Sequence, residues 1–261
     1  MKTNLISSIV VVCFAIIASC KKGLVDNPGN VSKTMLPISQ ASNLVEKSAC
    51  PVIDASNFGS SITNPYFPLA PGTAFQYVNR IIEGVDTSYE QTEVSVSANT
   101  KIIAGVQCRE VHDVVKVSGV VTEDTYDWYA QDKSGNVWYF GEHTKSMKDK
   151  NGSTMEGSWK AGEQNACPGI IMWANPQMHT GEIYYQEFLA GTAEDQGQVV
   201  NINSKVSVPY GVFTQCLKTK EFTNLEPGVT EYKYYAANVG LLKTEMTTGG
   251  NELEVLTSVM H

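Results

Sequence analysis

The sequence predicts a mainly β protein: an antiparallel sheet of about ten to twelve strands, curled into a half-barrel or open barrel. Three observations carry that expectation. Apolar and polar residues alternate with a period of two in short runs, Gly, Asn and Pro punctuate those runs, and no segment after Lys47 sustains a helical period over three turns. The third observation removes the crossover helices that a parallel α/β sheet requires. With 261 residues, 42% of them hydrophobic and 18% charged, the chain can bury a core. Nineteen Lys and Arg against 27 Asp and Glu give a net charge of −8, the wrong sign for a phosphate-binding surface, so no nucleic acid is expected as a partner.

Residues 1–19 read as a cleavable leader, with Lys2 ahead of a mostly apolar run from Leu5 to Ala18 that is short for a bilayer span. Ile17-Ala18-Ser19-Cys20 resembles the lipobox of bacterial lipoproteins, in which the leader is cut before a cysteine whose thiol carries a diacylglycerol. Cys20 is then a lipid anchor to a membrane of the bacterial cell envelope, with the folded part outside the cytoplasm. Each buried acyl CH₂ contributes roughly 0.8 kcal/mol, so several chains on one cysteine suffice without a transmembrane helix. An ordinary signal peptide cut elsewhere is the alternative. Residues 20–63, rich in Ser, Asn, Pro and Lys, read as tether and arm with at most one short helix near 40–47, and residues 64–261 as the β domain.

Processing removes Cys13 and acylation occupies Cys20, leaving Cys50, Cys108, Cys167 and Cys216. Cys50 and Cys167 sit in loop-like Ala-Cys-Pro settings, whereas Cys108 and Cys216 sit inside strand-like runs. A Cys50–Cys167 disulfide is the preferred pairing of the three that four cysteines allow, and Cys108 and Cys216 are expected as small buried apolar residues.

The domain begins at Asn64-Pro65-Tyr66-Phe67-Pro68, where prolines favour an extended entry, and Phe75, Tyr77 and Ile81 share one face of a first strand. Val94 and Val96 alternate with Glu93, Ser95 and Ser97. Tyr126, Trp128 and Ala130 alternate with Asp127 and Tyr129; Tyr232, Tyr234 and Ala236 alternate with Lys233 and Tyr235. Turns are expected at Glu83-Gly84, Ser118-Gly119, Ser134-Gly135-Asn136, Asn151-Gly152, Glu226-Pro227-Gly228 and Gly249-Gly250-Asn251. A faint repeat links the two aromatic pentads: each reads Tyr-x-aromatic-Tyr-Ala and follows a cysteine, with Cys108 to Ala130 spanning 22 residues and Cys216 to Ala236 spanning 20.

The stretch Val208-Pro209-Tyr210-Gly211-Val212-Phe213, with Cys216 and then Tyr234-Tyr235-Ala236-Ala237-Asn238-Val239-Gly240-Leu241-Leu242-Lys243, resembles the "VPxGxF…C…YYAxxVGLxK" segment of a family of bacterial secreted β proteins and lipoproteins. Asp127 to Glu142 resembles a second segment of the same family, and the resemblance covers most of residues 64–247. It implies an antiparallel half-barrel similar in outline to the lipoprotein carriers of the envelope. It implies no activity.

Signatures of common enzymes are absent: there is no G-x-S-x-G, H-E-x-x-H, Walker loop or dinucleotide fingerprint. Glu187, Glu194 and Asp195 flank a turn at Gly191 and are the candidate Ca²⁺ ligands or acid–base pair, although solvated loop carboxylates are the commoner case. Glu123, Asp124 and Asp127 lie close in sequence, but alternation turns Asp127 away from Tyr126 and Trp128, which argues against one shared site. Glu142 and His143 end an aromatic strand and are expected as a polar cap. His112 and His179 have no partner at ligand spacing. Trp128, Trp138, Trp173, Tyr139 and Tyr234 are the candidate ligand-binding aromatics, and Cys167 to Pro176 a loop that could plug the mouth. These features favour a non-enzymatic, membrane-anchored protein binding an apolar or amphipathic small molecule or an envelope protein. A glycan-binding lipoprotein and a carboxylate-dependent hydrolase are the alternatives.

Overall fold

The computed structural model of the chain describes residues 50–149, 152–154 and 157–261. The leader, Cys20, the helix expected near 40–47 and Asn151 of one expected turn lie outside the described residues. The strands are β1 (Phe58–Gly59), β2 (Ala74–Glu83), β3 (Asp86–Ile103), β4 (Val106–Val117), β5 (Val120–Asp132), β6 (Val137–Asp149), β7 (Gly152–Thr154), β8 (Trp159–Lys160), β9 (Cys167–Met172), β10 (Ile183–Tyr185), β11 (Glu187–Phe188), β12 (Asp195–Val208), β13 (Gly211–Thr223), β14 (Thr230–Ala236), β15 (Gly240–Thr248) and β16 (Glu252–Met260). Five of these sixteen, β1, β7, β8, β10 and β11, are only two or three residues long, which is why the count exceeds the expected ten to twelve. Among the described residues the only helical pieces are two 3₁₀ turns, Ala55–Asn57 and Pro176–His179.

All of the strands form one antiparallel sheet, ordered β10-β12-β13-β14-β15-β16-β2-β3-β4-β5-β6-β9-β11. Most neighbours are consecutive in sequence, as expected for a meander of hairpins; the pairing of β16 with β2 joins the two ends of the chain. The sheet curls until its edges nearly meet. Residues 183–188 make the seam: Ile183–Tyr185 pairs with β12, Glu187–Phe188 pairs with β9, and between them the Gln186 N–H donates to the Asp195 carbonyl at 2.8 Å. Gly169 on β9 lies against the backbone of Tyr185 and Gln186, where a side chain has no room.

The hairpins form at the expected Glu83-Gly84, Ser118-Gly119, Glu226-Pro227-Gly228 and Gly249-Gly250 turns. At Ser118-Gly119 both residues have positive φ, 52° and 79°, the tight two-residue turn that matches strand twist. The body begins before Asn64, because Phe58 and Gly59 pair with Asp132 and Gln131 of β5. The Pro-rich entry is folded back rather than extended: Leu69 N–H donates to Ile62 O, and Phe67 and Leu69 are buried.

The two halves of the faint repeat are the hairpins β4–β5 and β13–β14. In both, the residue after the cysteine pairs with the fourth residue of the pentad, Arg109 with Tyr129 and Leu217 with Tyr235. Cys108 and Cys216 are buried free thiols, and burial pushes Cys108 up to about 12.

Alternation divides every long strand into an inner and an outer face. Phe75 and Tyr77, Val94 and Val96, Val111, Leu217, Tyr235, Leu242 and Leu256 point inward and fill one half of the barrel. On the outer face, Gln76, Arg80, Glu93, Asp124, Lys218, Lys220, Lys243 and Glu245 leave a charged surface. No helix of the described residues is long and apolar enough to cross a membrane.

Candidate functional site

The other half of the interior is acidic. Continuing along the strands whose first inward residues are apolar, the same parity brings in Asn79 on β2, Glu90 and Thr92 on β3, Asp113 on β4, Glu231 and Lys233 on β14, and Glu252 and Glu254 on β16. Glu123 and Asp127 on β5, Glu142 on β6, Glu187 on β11 and Glu221 on β13 join them, all buried. Pairing across the sheet sets the boundary: Val94 faces Asp113 and Val111 faces Asp127, so the acidic layer begins one residue pair below the apolar one.

Two regions of this interior handle the charge differently. In the first, Lys233 Nζ lies 2.6 Å from Glu221 Oε2, with Glu231 opposite Glu221 in register. Thr219 Oγ1 donates to Glu221 at 3.1 Å and Tyr235 OH lies at 3.5 Å. Burial opposes the Lys233 charge, but Glu221 and Glu231 outweigh it and raise the ammonium pKa, so the group stays protonated. Partly buried Asp195 is pushed up to about 8, by burial first; Lys233 pulls it down and Glu221 pushes it up.

The second region lies around β5 and β6, where hydroxyl groups take the place of a cation. Thr125 Oγ1 contacts Glu123 Oε1 at 3.2 Å and Thr144 Oγ1 at 3.2 Å. Thr144 Oγ1 contacts Glu142 Oε2 at 3.1 Å; Tyr139 OH contacts the same oxygen at 3.3 Å and Asp127 Oδ1 at 2.5 Å. Each hydroxyl has one proton to donate, so three protons serve five contacts. The remaining two close only if carboxyl groups donate. Glu142 is held protonated by burial, then by the neighbouring Asp127 charge, which push its pKa well above the usual carboxylate range. Burial and the Asp195 and Glu142 charges do the same to Glu187, and burial with Asp113 does so to Glu254.

Glu142 also reaches a cleft at the seam, about 350 Å³ including open solvent, lined by Glu142, His143, Ser158, Trp159, Lys160 and Leu189 among others. Gly141 fixes the approach of β8. Its φ is 144°, and a Cβ there would sit 2.5 Å from the Trp159 carbonyl oxygen. Glu142 then pairs with Trp159 in register. Trp159 Nε1 approaches Glu187 and lowers its pKa somewhat without closing a hydrogen bond.

A second cleft opens at the opposite, apolar end of the barrel. Phe67, Pro68 and Leu69 from the N-terminal arm and Leu241 from β15 rim it, and Tyr77, Val94, Val111 and Tyr129 line it, around about 490 Å³ of space that includes open solvent. Stacked Tyr129 and Tyr139, 4.8 Å between ring centroids, separate it from the acidic layer.

The residues singled out in the sequence are scattered over these features. Cys50 and Cys167 form a disulfide, Cα to Cα 5.3 Å, which clips the arm to β9 across a sequence separation of 117 residues; disulfides typically contribute about 2–4 kcal/mol. Of the three carboxylates flanking Gly191, Glu187 and Asp195 come together inside. Glu194, one residue from Asp195, turns outward and accepts the Gly191 N–H at 2.8 Å, so the expected Ca²⁺ set is split. Among the described residues no group of three His, Cys, Asp or Glu is placed to hold a metal ion. The five candidate aromatics do not share a surface. Trp128 lies on the outer face under Lys101 (3.7 Å), Tyr234 lies there beside Lys243 (4.1 Å), Trp138 packs edge-on to Phe58, Trp173 stacks on His179, and Tyr139 is inside. Glu123 and Asp127, expected on no common site, share the interior, whereas Asp124 pairs outside with His112 at 2.7 Å. His143 is exposed at the seam, while its neighbour Glu142 is fully buried rather than a polar cap. The sequence reading missed Lys233, Glu221, Glu252 and Glu254; their signal was parity, since each shares a strand face with a core residue such as Tyr235 or Leu256.

No family model matches the chain, and no curated protein matches it. Two solved structures are similar in outline. One is a Bacteroides fragilis protein described as exported and of YmcC-like fold, with 14% identity, TM-score 0.46, and coverage of 75% of this chain and 99% of that one. The other is a Parabacteroides distasonis protein described as a lipoprotein, with 13% identity, TM-score 0.43, and coverage of 76% and 99%.

Proposed function

We propose that this is a lipid-anchored protein of the bacterial cell envelope, held through Cys20, that binds the apolar part of an amphipathic small molecule in the cleft at the apolar end of its barrel. The cleft carries the reading. Its walls are aromatic and aliphatic, its rim is supplied by the arm that leads back to the anchor, and Tyr129 forms a polar-tipped floor. The anchor rests on the leader and on Ile17-Ala18-Ser19-Cys20. No pair of carboxyl groups opens to this cleft, so the reading assigns binding and no turnover to it.

The test uses the chain from Lys21 onward with its disulfide intact. Native mass spectrometry and an apolar fluorescent probe are expected to report one bound species, lost in Leu241→Arg at the rim while the fold, read by circular dichroism, is retained. An empty protein that binds no probe overturns the reading, as does probe binding unchanged by Leu241→Arg.

A further inference from the structure

We propose that the cleft at the seam binds a small primary amine that carries a hydrogen-bond acceptor beside its ammonium group. This site is separate from the apolar cleft, and its argument stands without it. Glu142 is fully buried and its two hydroxyl contacts, from Thr144 and Tyr139, both fall on Oε2; Oε1 has no hydrogen-bonding partner. Trp159, paired with Glu142 in register and 4% exposed, leaves its Nε1 donor without a partner. Both residues line the cleft. Beyond them Glu187, 1% exposed, has two unpartnered oxygens. Unmade hydrogen bonds at buried polar atoms are costly, and an unpartnered Glu142 oxygen beside an unpartnered Trp159 donor on one cleft wall describes the complement of a ligand.

An ammonium group supplies three donors from one charged centre, and on binding it stabilises the Glu142 carboxylate as the acid proton leaves to solvent. The lone indole donor asks for an acceptor on the same molecule, and Lys160 at the rim, 3.8 Å from Glu163, offers a second donor to it. An anion is disfavoured by the neighbouring Asp127 charge. A quaternary ammonium has no N–H to donate to the Glu142 oxygen.

The probe is ethanolamine, with choline as a control of equal charge and no N–H. In ¹H–¹⁵N spectra of the chain from Lys21 onward, the Trp159 indole peak is identified by its loss in Trp159→Phe. Ethanolamine is expected to move that peak along a saturation curve, choline to leave it in place, and Glu142→Gln, which has no acid proton to release as the ammonium binds and so cannot become its charged acceptor, to weaken binding by about tenfold or more, the effect of one charge-assisted hydrogen bond. The proposal is overturned if ethanolamine leaves the peak unmoved, if choline moves it equally, or if folded Glu142→Gln binds as the parent does. Should Glu142→Gln fail to fold, the contrast between the two amines on the parent chain decides.

Discussion

The hairpins β4–β5 and β13–β14 are built on the same plan, and they solve the same electrostatic problem in opposite ways. At the second position of the aromatic pentad one has Asp127 and the other Lys233, and both side chains point into the barrel. Around Lys233 the carboxylates are balanced by a cation, with a 2.6 Å ion pair to Glu221. Around Asp127 the balance is made by protons, held between Glu123, Glu142 and Asp127 by Thr125, Thr144 and Tyr139. A buried carboxylate must be paired or neutralised, and the two hairpins show both routes on one scaffold. The proton-neutralised side meets the seam, where Glu142 Oε1 and both Glu187 oxygens lack a hydrogen-bonding partner.

Removing the cation breaks the comparison most severely. Lys233→Met leaves Glu221 and Glu231 buried without a counter-charge and is expected to cost about 3–5 kcal/mol in a denaturant titration near neutral pH, part of it recovered in mild acid as Glu231, already raised by burial, protonates.

Next comes pH itself. The folded protein raises Glu142, Glu187 and Glu254 well above the usual range, Asp195 to about 8 and Glu252 to about 7, so it binds more protons than the unfolded chain over that span. Stability from these groups is complete below their unfolded values and is lost as pH rises through the folded ones. The melting temperature should fall from about pH 5 to about pH 8.5, by roughly 5 °C or more, since 1 kcal/mol moves a domain of this size by about 2–4 °C.

The equivalent tyrosines sharpen the contrast. Tyr139→Phe removes the proton that bridges Asp127 and Glu142 and should cost about 1–3 kcal/mol, whereas Tyr235→Phe loses only a 3.5 Å contact to Glu221 and should cost under about 1 kcal/mol by thermal melts at one pH. The smallest effect belongs to Glu142→Gln. It mimics the protonated acid, so it should change stability by less than about 1 kcal/mol in mild acid and flatten the loss on the alkaline side.

Much of the fold was legible because its signals are local. Turn residues located the hairpins, and period-two alternation located the strands. The seam was not, because it depends on six residues, 183–188, that pair half with one edge and half with the other; their sequence carries no sign of the switch. The acidic layer was misread for a different reason. Asp127 and Lys233 are polar residues opposite aromatic ones, and ordinary alternation assigns polar residues to the outside. Parity along the strand gave the other answer: Asp127 shares a face with Tyr129's inner neighbours, and Lys233 shares one with Tyr235. A two-residue rule locates faces reliably, but the hydrophobic prior about which face is inside fails when a barrel encloses charge. Trp128 and Tyr234 were read as candidate ligand-binding aromatics. Their packing under Lys101 and Lys243 on the outer face was not legible.

A carboxyl ¹³C titration of the chain from Lys21 onward, with the Glu142 resonance identified by its absence in Glu142→Gln, addresses the proton-neutralised interior without relying on stability. Protons shared within the β5–β6 cluster require the Glu142 carbon to titrate well above the ordinary glutamate range, or not at all within the stable range. A midpoint near the ordinary glutamate value of about 4.3 would mean that the cluster is ionised and solvated, and that the contrast between the two hairpins does not exist.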